Sequence, residues 1–164
     1  MLTLFLIFCL ASAAAAATGI IFKPGAWYVG LRKPGFTPPD WVFPVAWSVV
    51  YLLSAYAAAR VATLPGAGLA LALWAAQIAL NTLWSPVFFG AHRMALAMAV
   101  MATLWLVVAA LLFQFWRLDA IAGLALLPYL AWLCVAFALN WRVWRDNPGA
   151  GARPGAGAAG GRSA

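Results

Sequence analysis

The sequence predicts an all-α integral membrane protein: a single bundle of five transmembrane helices, with a structured loop between the first and second. Three observations carry that expectation. The 164 residues are 67% hydrophobic and 8% charged, with a mean hydropathy of +0.96, whereas roughly a quarter of a soluble domain is charged. Five apolar stretches each approach or exceed the roughly 20 residues that a helix needs to cross a bilayer. The basic residues alternate in density from one inter-helix segment to the next, as they do in multi-pass proteins.

The first stretch, Leu2 to Phe22, ends in an alanine run that imitates the cleavage region of a signal peptide. No Lys or Arg precedes it, and its apolar character continues through Ile20, Ile21 and Phe22 to Lys23, so we expect a retained helix. Pro44 to Ala62 forms the second stretch, and Pro44 suits a first helical turn. Asp40 just before it is expected to cap that start. Leu69 to Phe89, Met94 to Phe115 and Ala120 to Trp141 complete the set. Pro86 and Pro128 interrupt the third and fifth of these, each removing one helical hydrogen bond. Residues 1–146 therefore read as one membrane domain. The tail 147–164, made largely of Gly, Ala, Pro and Arg, has the composition of a disordered segment. No stretch has the weak alternation and roughly 10-residue length of an outer-membrane barrel strand.

Eight basic residues, Lys23, Arg32, Lys33, Arg93, Arg142, Arg145, Arg153 and Arg162, fall on the side of the first loop and the C-terminus, and only Arg60 and Arg117 on the other. The positive-inside rule then places the first loop and C-terminus in the cytosol. The alanine, glycine and arginine bias suggests a bacterial envelope membrane. The net charge of +7 follows from this topology and from attraction to anionic lipid, so no nucleic-acid partner is expected. Cys9 and Cys134 lie inside spans and act as small hydrophobes. His92, the only histidine, sits beside Arg93 away from other ligand types, a poor metal site, so no metal is expected.

Lys23 to Phe43 is too long and too aromatic for a passive connector. Trp27, Tyr28, Phe36, Trp41 and Phe43 give it surface to bury, and Pro24, Pro34, Pro38 and Pro39 reduce the entropy lost on ordering. It reads as a folded lid, against the alternative of a belt of aromatics in the headgroup region. Helix rise puts Trp47, Tyr51, Asn81 and Trp132 at depths of roughly 5 to 13 Å from the lid end, with Gln77 deeper. Trp47 and Tyr51 share one helix face, as do Gln77 and Asn81. Aromatic walls with a few placed amides suit a planar ligand. Amides that only bind helices together across the bundle would show the same spacing. No Asp, Glu, Lys or His lies within a span, which argues against proton-coupled transport. No catalytic triad, carboxylate pair or phosphate loop is present.

The chain closely resembles the translocator protein family, which comprises the bacterial tryptophan-rich sensory proteins and the peripheral benzodiazepine receptors. The matching blocks are Trp27-Tyr28, Leu31, Lys33-Pro34, Pro38-Pro39, Trp41-Val42, Pro44 and Trp47; Ala79-Leu80-Asn81, Trp84, Pro86 and Phe88-Phe89-Gly90; Pro128 to Trp132; and Leu139-Asn140 with Val143 to Asn147. The resemblance implies a homodimer that binds porphyrins or haem as ligands rather than as required cofactors, and that also binds sterol or lipid. It implies ligand contact at Tyr28 and Asn81, and at Trp47 and Trp132, which are the catalytic pair if the family's light- and oxygen-dependent breakdown of protoporphyrin IX operates here. Tyr51 and Trp41 complete the candidate binding set. Transport of porphyrin or sterol is a further alternative to sensing or regulation. Gly35-Phe36 stands where the family commonly has Trp, reducing one stacking surface of the lid. A sterol segment would use Leu139, Trp141 and Arg145, although its consensus Tyr is absent here. Ala72, Ala75, Ala76 and Ala79 form the small-residue face expected at a dimer interface.

Overall fold

A computed structural model describes residues 1–151, within which the chain folds into six α-helices. They are α1 (Leu2–Ile21), α2 (Ala26–Val29), α3 (Val42–Val61), α4 (Gly68–Ser85), α5 (Met94–Leu118) and α6 (Ala120–Asp146), with a π-helical turn, Pro86–Gly90, after α4. Five are long and apolar enough to span a membrane: α1, α3, α4 with its π turn, α5 and α6. The short α2 lies in the first loop. The protein is thus an integral multi-pass membrane protein, and its helices form a closed ring. Packing contacts run from α1 to α3, α3 to α6, α6 to α5, α5 to α4 and α4 back to α1.

Several ends differ from the sequence expectation for local reasons. The second span begins at Val42 rather than Pro44, because a proline in the first turn needs no donor and the helix starts before it. Asp40 does not cap it: Trp41 is the N-cap and no side chain bonds there. The third span changes character at Pro86, which has no N–H to offer Thr82. The chain widens into a π turn closed by Ala91 N donating to Pro86 O at 2.8 Å. The fourth span runs to Leu118 and the fifth to Asp146. No breaker precedes Pro148, and Arg142 pairs with Asp146 one turn on, N to O 3.1 Å, adding modest support. Pro128 sits inside α6 without ending it. Asn147 to Gly151, expected as the start of a disordered tail, form a turn seated against the first loop; the remaining expected tail, 152–164, lies outside the described residues.

The main core is the lumen of the ring. Val50, Ala57, Ala58 and Val61 of α3, Trp74 of α4, Leu104, Val108, Leu111 and Phe115 of α5 and Leu126, Tyr129 and Leu133 of α6 are buried there. Small side chains let the helices approach: Ser54, Ala55, Ala57, Ala58 and Ala59 of α3 are all buried. α1 touches this core by one edge, Phe8 meeting Trp74 edge to face at 4.7 Å. A smaller cluster of Leu31, Phe88, Met94, Ala97 and Val143 lies under the first loop.

At the end of the bundle away from that loop, one side chain ties three elements together. Asp119, alone between α5 and α6, accepts from Ile121 N at 2.8 Å and Ala122 N at 3.1 Å through Oδ1, capping α6. Its Oδ2 accepts from Arg60 of α3 through Nε at 2.8 Å and Nη2 at 2.7 Å. Arg60 in turn donates to Tyr56 Oη at 3.1 Å. So tight a turn requires Gly123, where a Cβ would stand 2.7 Å from the Trp116 backbone.

The hydrogen bond from Arg60, joined by those of Ala122 and Ile121 and opposed by burial, holds the Asp119 carboxyl below its ordinary value. A depressed folded-state value means that this contribution is complete above the unfolded value near pH ~4 and is lost as pH falls below it. Thermal unfolding in detergent is expected to show Asp119→Ala melting below Asp119→Asn, because only Asn keeps a capping oxygen; the missing cap costs about 1 kcal/mol. Both variants should lose less stability than the parent between pH 5 and acid, and an unchanged acid profile would remove the ion pair from this account.

Candidate ligand-binding site

Four polar side chains cross the ring lumen in a continuous thread. Tyr51 of α3 donates its hydroxyl to Asn81 Oδ1 of α4 at 3.0 Å, and Asn81 Nδ2 donates to Tyr129 Oη of α6 at 2.6 Å. The Tyr129 hydroxyl donates in turn to Gln77 Oε1, one turn back on α4, at 2.9 Å. Gln77 is 0% and Asn81 7% exposed, so neither amide reaches lipid or solvent. Each must find partners inside the protein, and the tyrosines supply them to both ends of Asn81 and to Gln77 Oε1.

Aromatic rings wall this thread. Trp47 lies 5.5 Å from Tyr51, 6.2 Å from Tyr129 and 6.5 Å from Trp132 between ring centroids, the last two edge to face. Phe43, at the start of α3, also meets Trp132 edge to face at 5.6 Å. These separations are those of rings in contact, so the walls close on one another in this conformation. Two buried donors of this site have no partner among the described residues, Gln77 Nε2 and Trp132 Nε1. The site thus offers flat apolar faces, five ring-bearing side chains and two N–H groups without a partner among the described residues, with no carboxylate, amine or imidazole among its side chains.

The first loop folds over the neighbouring cluster. α2 carries Trp27 and Tyr28 onto the π turn: Trp27 meets Phe88 edge to face at 5.7 Å, and Tyr28 meets Phe89 at 5.3 Å. His92, at φ +56°, stacks on Trp27 at 4.1 Å. Lys33 Nζ lies 4.6 Å above the Tyr28 ring. Burial, then the charge of Asp40, push the Tyr28 phenol above its usual range, so it remains a neutral donor. The chain just after α6 clasps this loop. Asn147 Oδ1 accepts from Arg32 N at 2.8 Å, its Nδ2 donates to Arg32 O at 2.9 Å, and Trp27 Nε1 donates to Ala150 O at 2.9 Å.

Of the residues that the sequence singled out, Trp47, Tyr51, Asn81 and Trp132 come together in the lumen. Tyr28 packs one cluster away, on the π turn, and Trp41 is 68% exposed at the start of α3. A cavity of about 300 Å³ also lies at the loop end, bordered by His92 to Leu96 and by Trp144 and Asn147 to Gly149. The proposed sterol segment divides. Leu139 is buried while Trp141 is exposed, two residues apart being opposite faces of a helix, and Arg145 lies 5.3 Å over Trp141 on the outer face. Tyr129 is the residue that sequence reasoning passed over, although it is the centre of the thread. Its signal was a phenol in an apolar helix, three residues from Trp132 and so on the same face. Phe43 was read only as part of the lid.

The profile of the TspO/MBR family matches residues 4–145. The chain belongs to that family. It is 54% identical over 152 residues to the protein CrtK of Rhodobacter capsulatus, covering 90% of this chain and 95% of that one. It is 52% identical over 144 residues to a tryptophan-rich sensory protein of Cereibacter sphaeroides, covering 88% and 91%. The human translocator protein is 38% identical over 128 residues, 75% of this chain and 76% of its own length. This TspO/MBR member is therefore similar over most of its length to both bacterial and mammalian relatives.

Two substitutions separate the thread from the clasp. Tyr129→Phe strands Asn81 Nδ2 and Gln77 Oε1 in the lumen and is expected to cost about 1–3 kcal/mol in detergent unfolding. Asn147→Ala leaves the lumen intact but frees the loop. Hydrogen exchange at residues 26–31 should quicken while that of α5 stays the same; equal protection in the variant would show that the clasp does not hold α2.

Proposed function

We propose that this TspO/MBR protein binds a tetrapyrrole, protoporphyrin IX or a haem-like relative, between α3, α4 and α6 beneath the first loop, in a sensory or regulatory role. The observation that carries this reading is the polar thread Tyr51, Asn81, Tyr129 and Gln77 set between Trp47 and Trp132. A flat aromatic ligand gains stacking area from the two indoles, and the free N–H groups of Gln77 and Trp132 give its polar atoms a place. Trp47 and Trp132 are in ring contact, so entry of a planar ligand between them needs the two indoles to part. The names of two relatives, a tryptophan-rich sensory protein and a translocator protein, accord with sensing or carriage.

Chemistry on the ligand is a second reading. With no carboxylate, amine or imidazole among the lining side chains, any breakdown of the bound porphyrin would rely on light absorbed by the ligand and on oxygen, with Trp47 and Trp132 as the nearest oxidisable groups. That reading differs from simple binding in yielding a new absorbing product only under light and air. A homodimer is also proposed, through the α4 face on which Ala72, Ala75 and Ala79 are exposed and Ala76 is half-buried.

Protoporphyrin IX is expected to quench the intrinsic tryptophan fluorescence saturably, and Trp47→Phe combined with Trp132→Phe to weaken its affinity at least tenfold. Quenching that never saturates, or an unchanged midpoint in the double variant, would defeat the reading. For the dimer, Ala75→Leu should shift a crosslinked dimer in detergent towards monomer; an unaltered dimer band would clear this face.

A further inference from the structure

The lumen site does not account for all the unsatisfied polarity inside the bundle. Asn140 of α6 is 3% exposed, and neither Nδ2 nor Oδ1 has a partner among the described residues. The buried indole Nε1 of Trp84, on α4, is also without one. A buried amide left unmade is costly, about 1–3 kcal/mol for each group, and natural interiors keep few of them. Two such residues towards the same end of the bundle call for an account.

Both lie towards the small cluster under the loop, Trp84 packed against it and Asn140 one turn before its Val143. The inward stripe of α6 runs through Leu126, Tyr129 and Leu133 of the large core to Asn140 and then Val143 of the small cluster under the loop. Asn140 is therefore the polar step between the two apolar bodies. Trp84 packs against both of them, stacking on Phe88 at 4.9 Å and 12°. On α4, Trp84 lies one turn beyond Asn81 towards the loop end. On α6, Asn140 lies about two turns, roughly 12 Å of rise, beyond Trp132 in the same direction. A flat ligand seated between Trp47 and Trp132 would thus point its outer edge at these groups.

The charge at that end suits an anion. Lys23, Lys33, Arg32, Arg93, Arg142 and Arg145 all flank the loop end, and of these only Arg142 is paired with a carboxylate among the described residues. Indole and amide N–H groups in an apolar setting beneath a positive rim hold a carboxylate by charge-assisted hydrogen bonds. The amide Oδ1 additionally accepts from a carboxylic acid when the group is protonated.

From this placement we propose that Trp84 and Asn140 form a carboxylate subsite, which takes an acidic side chain of the bound macrocycle and orients it with its acids towards the first loop. The inference rests on the tetrapyrrole reading and adds to it the class of ligand: planar molecules bearing a carboxyl group at one edge. It assigns the two residues a part in selectivity that the stacking walls do not have, because stacking is indifferent to a remote ester.

The test compares protoporphyrin IX with its dimethyl ester on the full-length protein and on Asn140→Leu, by fluorescence titration, with thermal unfolding of each variant run alongside. Leu replaces the unpartnered amide with an apolar group of similar size, so the fold should be no less stable. The free acid is expected to bind the variant about tenfold more weakly, while the ester binds parent and variant alike. Trp84→Phe, which keeps the ring and loses the N–H, should show the same acid-selective loss and serves if Asn140→Leu does not fold. Equal losses for acid and ester, or no loss for either, would overturn the subsite while leaving lumen binding intact. A parent protein that bound neither compound would overturn the tetrapyrrole reading itself.

Discussion

Inside a bilayer a buried amide has no water to turn to, and the bundle is arranged around the places where that constraint is met. Gln77 and Asn81 both face the lumen from α4, and Tyr51 and Tyr129 reach them from α3 and α6, two helices that do not adjoin α4 in the ring. The thread therefore fixes the separation of three helices across an interior otherwise lined with Leu, Val and Ala. It also fixes where the aromatic walls stand, since Trp47 is one turn from Tyr51 and Trp132 is on the Tyr129 face. An apolar substitute for the thread would pack, but it would not specify one register.

The two ends of the bundle are held by different means. Away from the loop, Asp119 closes a one-residue turn, caps α6 and pairs with Arg60, and Gly123 admits the close contact with Trp116. At the loop end the contacts are aromatic and local, with α2 resting on the π turn and Asn147 clasping Arg32. Ion pair and cap resist opening at one end, whereas a few hydrogen bonds and ring contacts cover the other. The lumen can then be reached from the loop side without unmaking the far end. The π turn follows from Pro86, whose missing N–H turns a helix end into a widened platform for Trp27 and Tyr28.

The five spans were legible because composition and segment length alone determine them, and the lid was legible from its aromatics and prolines. The level shared by Trp47, Tyr51, Asn81 and Trp132 could be read from helix rise. Helix ends were less so: Asp146 and Leu118 continue their helices past the apolar stretch, since polar flanks carry no hydropathy signal even where an ion pair sustains the helix. The ring order could not be read at all, because alanine-rich faces fit many neighbours equally well. For the same reason Tyr129 was missed, its role depending on which helices α6 faces. Whether Tyr28 and Trp41 would lie over the lumen or beside it was equally out of reach, being set by the packing of α2 on a π turn that only the structure displays.

The central claim is that a planar ligand enters between Trp47 and Trp132 rather than adsorbing to aromatics at the membrane surface. Ten tryptophans make this directly observable. Indole Nε1–H resonances, assigned by single substitutions and followed by two-dimensional nitrogen–proton NMR during titration with protoporphyrin IX, report on every one of them. The account predicts that Trp47 and Trp132 shift together and saturate at one common midpoint, while the exposed Trp116, Trp141 and Trp144 hold their positions. Shifts confined to Trp116, Trp141 and Trp144, with the lumen pair unmoved, would contradict it.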